Sequence, residues 1–159
     1  MTRNELIVAL ITADMYRGQW DLADVLYAPV SPAFVQLAHG AWLDSLPPEL
    51  LDVRDIGGGK TVRCVKWVPE VYDCDNHTRS FGRFLSDCMA VDCIKTGNNR
   101  GNVAAGNFGF ARTPAPNDGH SDNWFVDYAG KAHNFDPGDE SMDKLTALQI
   151  QTVFQGEST

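Results

Sequence analysis

The chain changes character once, at Gly97-Asn98-Asn99-Arg100-Gly101, and that break constrains its fold more than any other feature. Before it, apolar residues recur at helical spacing. After it, short apolar runs stand between turn-forming residues, as strands do. Helices first and strands later is the order of an α+β fold, with N-terminal helices packed on a C-terminal antiparallel sheet. At 159 residues the chain is expected to form one domain, 1–159, helical to about residue 95 and sheet from about 101 to 155.

In the first part, Leu6, Leu10, Ala13, Leu22, Val25 and Leu26 predict helix over Arg3–Tyr27, broken at Gly18 and stopped by Pro29 and Pro32. A second helix is expected over Pro32–Leu46, ended by Pro47-Pro48, because the residue before a proline is pushed out of helical conformation. Gly57-Gly58-Gly59-Lys60-Thr61 invites a phosphate-loop reading, but Arg54 stands where that motif needs a glycine. With Val53 before it and Val62–Val65 after it, the segment reads as a hairpin turn. The clearest helix start is Tyr72-Asp73-Cys74-Asp75-Asn76: Asp73 can cap free amides, and Asp75 sits in the first turn, where the helix dipole favours negative charge. Phe81, Phe84, Leu85 and Cys88 continue it as an apolar stripe to about Ala90. In the second part, Val103–Arg112 and His120–Tyr128 predict strands. A tight turn at Ala129-Gly130 leads to a short strand ending at Phe135, and Leu145–Phe154 predicts the last strand.

The formal net charge is −8 and the pI about 4.8, with thirteen scattered basic residues. Nucleic-acid binding needs clustered Lys and Arg to meet phosphates, so that partner is excluded. No stretch approaches the roughly 20 apolar residues that span a bilayer, which argues against a membrane role. The run Leu6–Ile11 is short, flanked by Glu5 and Asp14, and followed by no small-residue cleavage site, so it reads as a buried helix and not a signal peptide. A cytoplasmic location is therefore expected, where Cys64, Cys74, Cys88 and Cys93 stay reduced; in a secreted protein the four would make two bridges.

Cys74 lies in the first turn of its helix, where backbone amides stabilise the thiolate, the reactive form. Asp73 and Asp75 oppose this, since neighbouring negative charge favours the neutral thiol. A lone cysteine is most often a small buried hydrophobe, and Cys64, Cys88 and Cys93 read that way. His120 alters the reading of Cys74. It follows the turn-rich Pro114–Gly119 and opens the strand containing Trp124-Phe125-Val126. Sixteen residues later comes Asp136-Pro137, and hairpin pairing would return Asp136 to His120. A thiolate, an imidazole and an orienting polar group are what acyl transfer by cysteine requires. His77, three residues after Cys74 on nearly the same helix face, is the other candidate base, though a histidine so placed is more often a partly exposed surface residue. His39 and His133 have no evident partners in the sequence. A zinc site on Cys74, His77, Cys88 and Cys93 fails on reach, because fourteen helical residues separate Cys74 from Cys88 by about 21 Å.

Tyr72-Asp73-Cys74-Asp75, then Gly119-His120 with Asn123 and Val126, then Gly130 and Asp136-Pro137, resemble the pattern of the lectin-related family named after the Marasmius agglutinin, which includes small phage-encoded proteins. The resemblance spans Tyr72 to Asp139. It implies a papain-like, calcium-dependent cysteine protease fold, with Cys74 as nucleophile, His120 as base and Asp136 as the residue that orients the ring. The chain departs from the pattern at His77, where an apolar residue is expected, and at Ser121-Asp122, which replace a small and aromatic pair. The resemblance also places Asp118, Asp122, Asp136, Asp139 and Glu140 near the site as oxygen ligands suited to calcium. An EF-hand alignment fails, because it would put Pro114 and Pro116 at ligand positions; solvated turns are the preferred reading, and no cofactor is expected.

Together these readings lead to the expectation of a papain-like cysteine hydrolase or transferase acting on a peptide or amide bond, with a peptide or protein as substrate. The rival expectation is a non-catalytic, phage-encoded interaction protein on the same fold that binds and inhibits a host protein through its acidic surface.

Overall fold

The computed structural model describes residues 1–69, 71–111, 119–143, 145, 146, 149, 153 and 155–158, and the fold is α+β. Helix α1, Arg3–Thr12, starts at a capping box: Thr2 Oγ1 accepts from the Glu5 amide at 3.3 Å, and Glu5 Oε2 accepts from the Thr2 amide at 2.6 Å. It is shorter than the expected Arg3–Tyr27. Asp14, just past the helix, takes left-handed backbone at φ 61° and ends it, Gly18 turns the chain again at φ 70°, and the chain continues as β1, Gln19–Asp21, and β2, Tyr27–Ala28. Leu22 is buried while Val25 and Leu26 face outward, so their helical spacing does not mark a helix. Helix α2, Pro32–Ser45, follows the expected bounds, with Ser31 Oγ accepting from the Phe34 amide at 3.1 Å and proline at the first position.

The glycine run is the turn of a hairpin between β3, Leu51–Asp55, and β4, Thr61–Val65, and Gly57, Gly58 and Gly59 all have positive φ. Helix α3, Cys74–Thr96, has Asp73 at its cap position and stops at Gly97, whose φ of 65° is the left-handed conformation a helix stop favours. The strands of the second part are β5, Asn102–Val103; β6, Ala105–Ala111; β7, Gly119–Val126; β8, Ala132–Asp136; β9, Ser141–Met142; and β10, Gln155–Ser158. The strand expected over Leu145–Phe154 falls largely outside the described residues, and the described strand begins at Gln155.

The main sheet has the order β1-β10-β6-β7-β8-β9, antiparallel except that β1 runs parallel to β10. The four strands β1–β4 lie within the part expected to be helical. The helices also do not share one face of the sheet. Val35, Trp42 and Leu43 of α2 and Phe81 and Leu85 of α3 pack with Ala105, Phe125 and Phe135. Leu6 and Leu10 of α1 pack in a second core with Phe108, Phe110, Trp124 and Val126. Successive side chains of β7 point to opposite sides, so Trp124 and Phe125 serve different cores. All four cysteines carry free thiols. Among the described residues no helix is long and apolar enough to cross a membrane.

Candidate functional site

The first turn of α3 is tied to β7 by two side chains. Asn123, fully buried, donates through Nδ2 to the carbonyls of Thr78 and Gly106, each at 3.0 Å, and so joins helix to sheet. Ser121 Oγ donates to Asp75 Oδ1 at 2.5 Å. Cys74 is thereby held beside the start of β7, with its thiol donating weakly to the same Asp75 oxygen at 3.8 Å.

The β7–β8 hairpin pairs Asn123 with Phe135, so the next step along the register opposes Asp122 to Asp136. His120 Nε2 meets Asp136 Oδ2 at 3.0 Å and Asp122 Oδ1 at 3.3 Å. Each carboxylate is fixed from its other oxygen: Asp136 Oδ1 accepts from the Gly138 amide at 2.7 Å, and Asp122 Oδ2 from Asn134 Nδ2 at 3.1 Å. Burial disfavours charge on His120, but Asp122 and Asp136, helped by the Cys74 thiol, overcome it and the imidazole is pushed up to about 11. Burial pushes the Asp122 carboxyl up, and its neighbour Asp136 adds to this, against the imidazolium that favours its charge. Asp136 goes the other way, below the usual carboxylate range: burial opposes its charge, and the bond to His120 outweighs that.

Cys74, His77, His120 and Asp136 line a cleft of about 160 Å³ whose further walls include Arg54, Trp67 and Asp139. His77 is not the surface residue expected. It is 3% exposed, edge-on to Tyr72 at 4.8 Å and to Trp67 at 6.2 Å, and burial lowers its pKa and keeps the ring neutral. His39 and His133 also have partners: His39 Nε2 lies 2.9 Å from the Pro137 carbonyl, and His133 sits between Asp127 at 3.1 Å and Asp143 at 2.8 Å. Of the acids suited to calcium, Asp118 lies outside the described residues. Asp139 accepts from the Ser141 amide at 2.8 Å, and Glu140 turns to His39 at 3.4 Å. Among the described residues, His120, Asp122 and Asp136 form the one cluster of three metal-ligating side chains, with ligand atoms within 4.8 Å of one another.

Cys74, His120 and Asp136, the three residues singled out in the sequence, thus meet at one cleft. Sequence reasoning missed Asp122 as a partner of His120, although period-two alternation places both on one side of β7. It also missed Arg54 and Trp67, which lie on and just beyond the β3–β4 hairpin and form no motif with the helix start.

No family model matches the chain, and no curated protein matches it in sequence. Solved structures do share its fold, two of them at TM-scores above 0.6. One is the PSL1a–E64 complex, with a TM-score of 0.65 and 18% identity over 99% of this chain and 50% of that one. The other is Polyporus squamosus lectin bound to the human-type influenza-binding epitope Neu5Acα2-6Galβ1-4GlcNAc, with a TM-score of 0.63 and 18% identity over 99% of this chain and 49% of that one. The chain therefore spans about half the length of these neighbours. The expected cysteine hydrolase or transferase is corrected by this finding, since the neighbours of this fold include a lectin solved with a bound glycan.

Proposed function

We propose that the chain is a carbohydrate-binding module that receives a glycan in the cleft at the start of α3, with Cys74, His120 and Asp136 in its wall. The observation that carries this reading is Trp67. The residue is 51% exposed and stands in the wall of a small cleft beside Arg54, Asp136 and Asp139. A sugar ring has apolar C–H faces and a rim of hydroxyls, so it is held by an aromatic surface against one face and by charged donors and acceptors around its edge. Trp67 supplies the surface, the Arg54 guanidinium the donors and Asp139 an acceptor. The edge-on contact with His77 braces the indole. The fold supports the reading, being shared with a lectin solved with a sialylated trisaccharide. A glycan carried on a protein would make a glycoprotein the partner, in keeping with the protein target expected from the sequence.

The test is a glycan-array screen followed by titration calorimetry on the best hit. Saturable binding is expected, with Trp67→Ala weakening it about tenfold or more. Covering the exposed half of the indole, roughly 100 Å² at about 25 cal/mol per Å², is worth about 2.5 kcal/mol before ordering costs. Trp67→Phe should retain part of the affinity, and Val91→Ala, on the exposed side of α3, all of it. No saturable binding to any glycan, or a Trp67→Ala variant that binds as well as the parent, refutes the reading.

A further inference from the structure

We propose that His120 Nε2, Asp122 Oδ1 and Asp136 Oδ2 form a binding site for a divalent transition-metal ion of the zinc type. First-row ions hold N and O ligands at about 2.0–2.2 Å, which places neighbouring ligand atoms roughly 2.8–3.6 Å apart around a tetrahedral or octahedral shell. The observed separations from Nε2 are 3.0 Å to Asp136 and 3.3 Å to Asp122. The two carboxylate oxygens lie within 4.8 Å of each other, so an ion would draw them together by side-chain adjustment about the imidazole nitrogen.

A second observation points to a cation. Asp122 is 2% exposed, and its Oδ1 makes no hydrogen bond of good geometry among the described residues, its one polar neighbour being His120 Nε2 at 3.3 Å. Buried carboxylate oxygens almost always have a hydrogen-bond donor, so an oxygen held this way is short of partners. Each acid is gripped through the oxygen that faces away from the cluster, by Asn134 and by the Gly138 amide, which leaves the near oxygens aimed inward. Support from behind the ligand is how metal-binding side chains are held in place. The three residues also line a hollow of about 250 Å³ with Phe110, Asn134 and Ser141, which gives an ion an entry path and room for water as a further ligand.

The donor set selects the ion. One imidazole and two carboxylates suit zinc and its neighbours, and the two negative charges balance a dication when the ring gives up its proton to the metal. Calcium takes six to eight oxygens, and a nitrogen at the centre of the cluster does not fit it. This inference stands apart from the glycan reading, and its test needs no sugar.

The experiment is titration of the chelator-treated chain with zinc chloride by calorimetry, and with cobalt(II) by visible absorption. One equivalent is expected to bind, with a visible cobalt band that zinc displaces. Asp122→Asn and, at the more accessible position, Asp136→Asn should each weaken binding at least tenfold. Asp87→Asn, an exposed acid on α3, should change nothing. Absence of stoichiometric binding by either ion overturns the proposal, as does unchanged affinity in whichever of the two ligand variants folds. Calcium binding more tightly than zinc at these residues overturns the choice of metal.

Discussion

Replacing Asn123 by alanine tests whether one side chain fastens the site to the sheet. Asn123 is 1% exposed, and its Nδ2 joins the carbonyl of Thr78 in α3 to that of Gly106 in β6. Each hydrogen bond contributes about 1 kcal/mol net, and removing the amide from a packed interior adds about 1 kcal/mol for the space left behind. The carbonyls belong to a helix and a strand whose own ladders persist, so neither is left wholly unpaired, and the total loss is about 2–3 kcal/mol. Urea unfolding reads this directly. With a slope of about 2 kcal/mol per molar for a chain of this size, the midpoint should fall by roughly 1–1.5 M with the slope unchanged. Asn123→Asp should cost more, because it turns a carboxylate toward two carbonyl oxygens. A midpoint within about 0.3 M of the parent would show that the helix is held by its apolar contacts alone and refute the reasoning.

Two further perturbations probe the frame around the site. The hydrogen bond from His133 holds the Asp127 carboxyl below its ordinary value, with the backbone amides of Lys131 and Ala129 adding to the effect. The unfolded chain therefore binds the extra proton first, and the stability is present above the unfolded pKa of about 3.9 and lost as pH falls through the lower folded value. Asp127→Asn should cost about 1 kcal/mol at pH 7 and progressively less as pH falls through the folded value, flattening the acid limb of the urea-stability curve; a curve parallel to the parent's contradicts this. Gly106→Ala would drive a β carbon into the Glu157 carbonyl and to within 2.7 Å of the Trp124 ring, so β10 and β6 must part. A loss above about 3 kcal/mol or failure to fold is expected, whereas Gly40→Ala in α2, where the added carbon meets open space, should hold or raise the melting temperature by a few degrees. A Gly106→Ala protein melting within a few degrees of the parent refutes the close approach.

The helices α2 and α3 and the β3–β4 hairpin were legible because their signals are local: a cap, an apolar stripe and a glycine turn within a few residues of one another. The end of α1 was not. Leu22, Val25 and Leu26 keep helical spacing, yet Asp14 and Gly18 turn the chain left-handed before it reaches them. The pairing of β1 with β10 joins Gln19–Asp21 to residues near the far end of the chain, and no local pattern encodes so long a separation. The two-sided burial of the sheet did leave a trace. Trp124-Phe125-Val126 is a continuous apolar run where a sheet with one wet face would alternate, and continuous runs mark strands covered on both sides. Read that way, it calls for a layer on each face, which α1 provides on one and α2 with α3 on the other.

At the site, the positions of Cys74, His120 and Asp136 followed from a helix start and one hairpin, but their chemistry turned on a fourth residue. An imidazole with one carboxylate behind it remains tunable, since its other face can give and take a proton. With Asp122 as well as Asp136 against the same nitrogen, the cationic form of the ring is favoured further, and the nitrogen becomes a ligand if a metal takes the proton's place. Asp122 was visible in the sequence only as a departure at Ser121-Asp122, and its partner was set by the register of β7 on β8. The residues on which the proposed sugar binding depends most, Arg54 and Trp67, lie before Tyr72 and so outside the segment whose residues resemble a known family. If the glycan reading holds, specificity in this fold is written on the β3–β4 hairpin and the segment just after it, and loop exchange there should change the preferred sugar while the His120 cluster stays as it is.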